Sequence, residues 1–172
     1  MTAKLLSLGA RAAFLPVALS LALAPSAAQA QRYAQVIGND MSLCRSGAGP
    51  AVRVTIEGLR SNSGNLFVRT YLARSSDWLK SKRYLTRLDT SPRAGTMTVC
   101  VPLPSTGEFA IAVQHDVNGN REVDFSRDGA GMSNNPKIGN FIGIPLPPSV
   151  RKTSFTAGPG VTDMRITMRY RD

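Results

Sequence analysis

The sequence has few residues that carry catalytic or metal chemistry. Among 172 residues there are one histidine, two cysteines and one tryptophan. The two cysteines, Cys44 and Cys100, lack C-x-x-C spacing, so neither a zinc site nor a thioredoxin-like redox pair is expected. Acidic residues are scarce, 11 against 21 Lys and Arg. After residue 30 no apolar run is long enough to span a bilayer. The longest uncharged late stretch, Ile138 to Val150, contains three prolines. No amphipathic helix, repeat or low-complexity segment stands out. The length excludes a large multi-domain enzyme, and recurrent apolar patterning excludes general disorder.

Residues 1–30 read as a secretory signal peptide. Lys4 and Arg11 form a basic start, Ala12 to Leu23 is uncharged and rich in Ala and Leu, and Ala28-Gln29-Ala30 is an A-x-A cleavage site. Pro16 and Pro25 interrupt the apolar run, which argues against a membrane anchor. Gln31 is the expected first mature residue and the expected location is periplasmic or secreted. Loss of Lys4 and Arg11 lowers the formal charge from +10 to +8. A basic balance favours acidic partners, although Arg53, Arg69, Arg165 and Arg169 alternate with apolar residues as on the wet face of a sheet. Lys80-Ser81-Lys82-Arg83 is the one basic cluster. Nucleic acid is not an expected partner, because no recognition motif is present.

An oxidising compartment allows a Cys44–Cys100 disulfide. It would close a loop of about 55 residues, worth about 4 kcal/mol by loop entropy, and staple an N-terminal arm (31–50) onto a strand. Residues 51–172 then form the folded domain. Strands are expected at Val52–Glu57, Asn65–Leu72, Tyr84–Leu88, Thr96–Leu103, Phe109–His115, Arg151–Thr156 and Asp163–Tyr170. In the last, Met164, Ile166, Met168 and Tyr170 alternate with Arg165, Thr167 and Arg169. Ser75 to Leu79 reads as a helical turn that sets Trp78 as a core lid. About seven short strands punctuated by Gly and Pro predict an all-β fold, an antiparallel β-sandwich.

The segment after Phe109–His115 carries the most chemistry. Asp116, Asn118, Asn120 and Asp124 fall at positions 1, 3, 5 and 9 of a calcium-loop pattern, with the Glu122 carbonyl at position 7. The Gly of position 6 is Arg121, and position 12 is Arg127, with Asp128 beside it as a substitute ligand. Asn118-Gly119 is equally a hairpin-turn signal that needs no ion. Calcium is the cofactor expected on the first reading. Ile138, Phe141, Ile142 and Ile144 either pack the open end of the sandwich or form an apolar rim beside this loop.

Three stretches resemble the bacterial domain-of-unknown-function family 2141, whose members are small exported proteins. Val54-Thr55-Ile56-Glu57-Gly58-Leu59 with Gly64-Asn65-Leu66-Phe67-Val68 is similar to its opening hairpin. Gly107 to Asn120 is similar to its central signature, and Gly131-Met132-Ser133-Asn134-Asn135-Pro136 to its following loop. The resemblance implies a transthyretin-like or immunoglobulin-like sandwich and implies no activity.

Three functions follow as expectations. The first is a non-catalytic exported module that binds an envelope glycan, a lipid head group or a protein at its loop end. The second is a hydrolase using His115 with Asp116 or Asp124, for which Ser126 or Ser133 would have to approach. Neither serine lies in a nucleophile elbow. The third is a purely structural envelope module. His115 continues the inward rhythm of Phe109, Ile111 and Val113, where a hydrogen-bonded structural role is expected.

Overall fold

A computed structural model describes residues 32–124, 126–141 and 144–171. Residues 1–30, expected to be a signal peptide, lie with Gln31 and Ile142 outside the described residues. Among them, alternating apolar residues form nine strands in two facing sheets, with a separate two-stranded hairpin. The smaller sheet centres on β2 (Ala51–Leu59), flanked by β5 (Gly95–Pro102) and β11 (Val161–Thr167). The larger sheet runs β1 (Gln35–Ile37), β4 (Thr86–Thr90), β3 (Asn65–Leu72), β6 (Gly107–Asp116). The far edge of β6 is shared by β7 (Gly129–Met132) and β10 (Phe155–Ala157). The hairpin is β8 (Gly139–Phe141) with β9 (Ile144–Leu146).

The inner faces meet as the period of two requires. Val54 and Ile56 of β2, Val99 and Val101 of β5 and Ile166 of β11 pack against Leu66, Val68, Leu88, Ile111 and Val113 of the larger sheet. A bridge between Ala130 and Arg169 joins the two sheets at one side. The all-β sandwich is borne out, with two departures. Its pairings are not all antiparallel: β11 lies parallel to β2, and β1 parallel to β4. Parallel neighbours cannot be joined by a tight turn, so each of these pairs is separated by a long stretch of chain. The expected strand at Arg151–Thr156 is instead a helical turn α1 (Val150–Thr153) followed by β10. Val150 and Thr153, spaced i and i+3, are the residues of that turn that are buried.

Cys44 and Cys100 form the expected disulfide, with Cα atoms 5.7 Å apart. It ties the 3-10 turn Met41–Cys44 to β5. Around it, the Cys100 amide donates to Asn39 Oδ1 at 3.0 Å and Arg53 donates to the Cys44 carbonyl at 2.8 Å. Gly64 opens β3 at φ +78°, and a side chain there would run into the Asp116 carbonyl oxygen. Only glycine allows the β2–β3 turn to lie against the start of the acidic loop. Among the described residues no helix is long and apolar enough to cross a membrane.

Candidate functional site

Strand β6 presents two faces of different character. Phe109, Ile111, Val113 and His115 face the sandwich core, while Ala110, Ala112, Gln114 and Asp116 face outward beneath a second cover. His115 is fully buried. One ring nitrogen, Nδ1, lies 2.6 Å from the Tyr170 hydroxyl and the other, Nε2, lies 2.9 Å from the Ser63 carbonyl. A carbonyl only accepts, so Nε2 carries the proton and Nδ1 accepts from Tyr170. Both ring nitrogens are thereby engaged in holding the fold together.

The acidic loop closes on itself through its own backbone amides. Arg121 N donates to Asp116 Oδ2 at 2.9 Å, Asn120 N to Asn118 Oδ1 at 3.2 Å and Glu122 N to Asn120 Oδ1 at 2.9 Å. Asp124 Oδ1 accepts from the amide and hydroxyl of Ser126, bonds that hold its carboxyl below the usual carboxylate range. Asp128 Oδ1 accepts from Val117 N at 3.2 Å, and its Oδ2 from Gln114 Nε2 and Asp124 N. Gln114 also donates to the Glu122 carbonyl at 2.6 Å, the oxygen assigned to position 7. Among the described residues no three His, Cys, Asp or Glu side chains gather as a metal group. Asp116 Oδ1 is buried without a hydrogen-bond partner. Arg121 takes φ +65°, the left-handed conformation of a glycine at position 6, so the loop keeps its curl at a cost of about 1 kcal/mol.

The ring nitrogens of His115 pair with Tyr170 and the Ser63 carbonyl, and neither serine considered for a hydrolase bonds to them. The Ser133 hydroxyl donates to the Thr153 carbonyl and accepts from Ile111 N. Asn135 beside it bonds Arg165 O and Thr167 N, so the glycine and asparagine loop knits β7 to α1 and β11.

The outward face of β6 floors a groove of about 1060 Å³. Tyr71, Ala112, Gln114 and Met132 contribute to its floor. Its walls include residues 79–82, Val123 and Asp124 of the acidic loop, and Lys137–Gly139 with Pro147. Ile138, expected at an apolar rim, lines it. Trp78 packs behind the groove residue Tyr71: it meets that ring edge-on at 5.3 Å and donates to the Pro148 carbonyl at 2.8 Å. Burial pushes the Tyr71 hydroxyl up to about 12, so it stays protonated at neutral pH.

Seven of the lining residues are Lys or Arg and two are Asp. Arg69 and Arg87 are direct cross-strand partners, and both guanidiniums lie over the Phe67 ring, at 5.2 and 5.1 Å. Arg87 pairs with Asp89 through two bonds of 2.7 and 2.9 Å. Arg69 is half-buried and donates to a neutral oxygen, Gln114 Oε1, at 3.0 Å. That burial, uncompensated by a carboxylate of its own, holds its guanidinium below the usual arginine range. The sequence marks Arg69 only as one member of an alternating wet face. Its facing partner, Arg87, becomes visible only through the β3–β4 register.

Fold and site together define an all-β sandwich with a basic groove on the outer face of its larger sheet. Over residues 54–165 the chain matches the family described as uncharacterised protein conserved in bacteria (DUF2141), and it belongs to that family. No curated protein and no solved structure matches it.

Proposed function

We propose that the protein is an exported, non-catalytic binding module that holds a ligand of the cell envelope in the groove over β3, β6 and β7. The observation that carries this reading is the groove itself, whose volume is in the range of small-molecule sites and whose walls come from three separate loops. Val123 and Asp124 of the loop after β6 line one of its walls, which supports binding at the loop end of the sandwich. The enclosed state of His115 supports the non-catalytic half of the reading. The Cys44–Cys100 bond is compatible with export, because such bonds persist in oxidising compartments.

The test is saturable binding of the purified protein to isolated envelope fractions. Ala130 is a half-buried groove residue, so Ala130→Phe places a ring in the groove without disturbing the sandwich core. Binding abolished by Ala130→Phe, at an unchanged circular dichroism spectrum and melting temperature, is expected. Binding that persists in this variant moves the site away from the groove.

A further inference from the structure

Resting on the groove as the binding site, the charge arrangement narrows the ligand class. Direct cross-strand partners of like charge repel, and such pairs destabilise a sheet. Arg69 and Arg87 are such a pair, at the groove and partly withdrawn from water. One carboxylate, Asp89, serves Arg87 and also lies 3.9 Å from Arg121. Three guanidiniums thus surround the Phe67 ring with a single acid among them. Two acids, Asp124 and Asp128, line the groove against seven Lys and Arg, which leaves cations in excess. Asp128 is occupied by Val117 N, Asp124 N and Gln114, and Asp124 by Ser126 and Arg127. Lys80 and Lys82 add exposed ammonium groups at the rim and make no ion pair among the described residues.

The same rim is apolar at its outer edge. Leu79 is 37% exposed and Val123 61%, and both line the groove. Leu79 and Lys82 both hold left-handed φ angles, +57° and +58°. Non-glycine residues adopt that conformation at a cost, and such strain concentrates at binding sites. Here it holds a loop in which a leucine and two lysines stand side by side at the mouth. Cations in the floor and aliphatic side chains at the rim match a molecule with an anionic head and an apolar tail.

We propose that the groove binds a phosphorylated amphiphile, its phosphoryl oxygens against the Arg69–Arg87 pair and its tail along Met132, Leu79 and Val123. Guanidinium groups suit phosphoryl oxygens because their planar N–H donors engage two oxygens at once.

Dodecyl phosphate below its micellar concentration is the probe, with fluorescence of the sole tryptophan, Trp78 beside Tyr71, as the signal. One-to-one saturation is expected, at least about tenfold tighter than for uncharged dodecyl maltoside and for inorganic phosphate. Arg69→Gln should weaken it about tenfold or more, the usual loss for a charged hydrogen bond. Lys80→Glu with Lys82→Glu, at exposed positions that leave the fold intact, should weaken it further and flatten its salt dependence. Equal affinity for dodecyl maltoside overturns the anionic class, and equal affinity for inorganic phosphate overturns the tail. If no probe binds while envelope binding still depends on Ala130, this proposal fails and the groove reading stands. If neither is seen, both fail.

Discussion

His115, near the end of β6, and Tyr170, three residues beyond β11, meet at one end of the sandwich. Their rings meet edge-on at 5.8 Å, and the Tyr170 hydroxyl donates to His115 Nδ1 across 2.6 Å. The same hydroxyl accepts from Arg60 N at 3.2 Å. Behind the tyrosine, Gly129 makes room that any side chain would fill, since a Cβ there would meet the ring. Tyr170 is in this way locked to the end of β6.

Tyr170→Phe should therefore destabilise the protein by about 1–2 kcal/mol, because it leaves a buried imidazole nitrogen without its donor. Urea unfolding measures this. A variant of unchanged midpoint would mean that the hydroxyl adds nothing to stability.

The disulfide is open to a direct check. Intact mass after alkylation without reduction should show no added label, and reduction should expose two thiols. Replacing Cys44 and Cys100 together by Ser should cost about 4 kcal/mol, as loop entropy predicts for a separation of 56 residues. Two labelled thiols before reduction would remove the bond and with it the anchor of the N-terminal turn.

Asp77 gives the protein an acid limit. It is fully buried within the turn that carries Trp78 and accepts from Arg83 at 2.9 Å and from the Tyr33 hydroxyl at 3.0 Å. Burial alone would raise its pKa. The bonds from Arg83 and Tyr33 outweigh this and hold the carboxyl below its ordinary value. A carboxyl lowered on folding contributes stability above its unfolded pKa, near about 3.9, and loses it as pH falls through the folded value. The melting temperature should fall below about pH 4, and less steeply in Asp77→Asn. Parallel pH profiles for the two proteins would place the acid limit at other carboxylates.

Calcium is decided by melting curves. An ion entering the loop finds Asp116 Oδ1 without a partner, while Asp116 Oδ2, Asn118 Oδ1 and Asn120 Oδ1 each already accept a backbone amide. Calcium requires six to eight oxygens, and among the described residues no three His, Cys, Asp or Glu side chains gather to supply them. The expected result is an unchanged melting temperature from zero to about 10 mM calcium, a range that saturates even a weak extracellular site. A rise that Asp116→Ala abolishes would show that an ion binds the loop through Asp116.

What the sequence determined by itself is the local alternation. Val52, Val54 and Ile56, then Phe109, Ile111 and Val113, then Met164, Ile166 and Met168 sit on the inward faces expected of them, and His115 follows the same rhythm. A period of two is a property of neighbouring residues, so it can be read without knowing any partner. The cysteine pair was legible for a similar reason, since two candidates allow one bond. Strand ends were less legible: Arg151–Thr156 reads as strand by residue type, yet Val150–Thr153 forms a turn whose two buried positions are three apart. The groove was not legible at all. Arg69 faces Arg87 only through the register of β3 on β4, and His115 meets Tyr170 across 55 residues of chain. The walls come from loops near residues 80, 124 and 138. Which loops meet depends on strand order and sheet packing, and these are set by the whole core rather than by any segment of the chain.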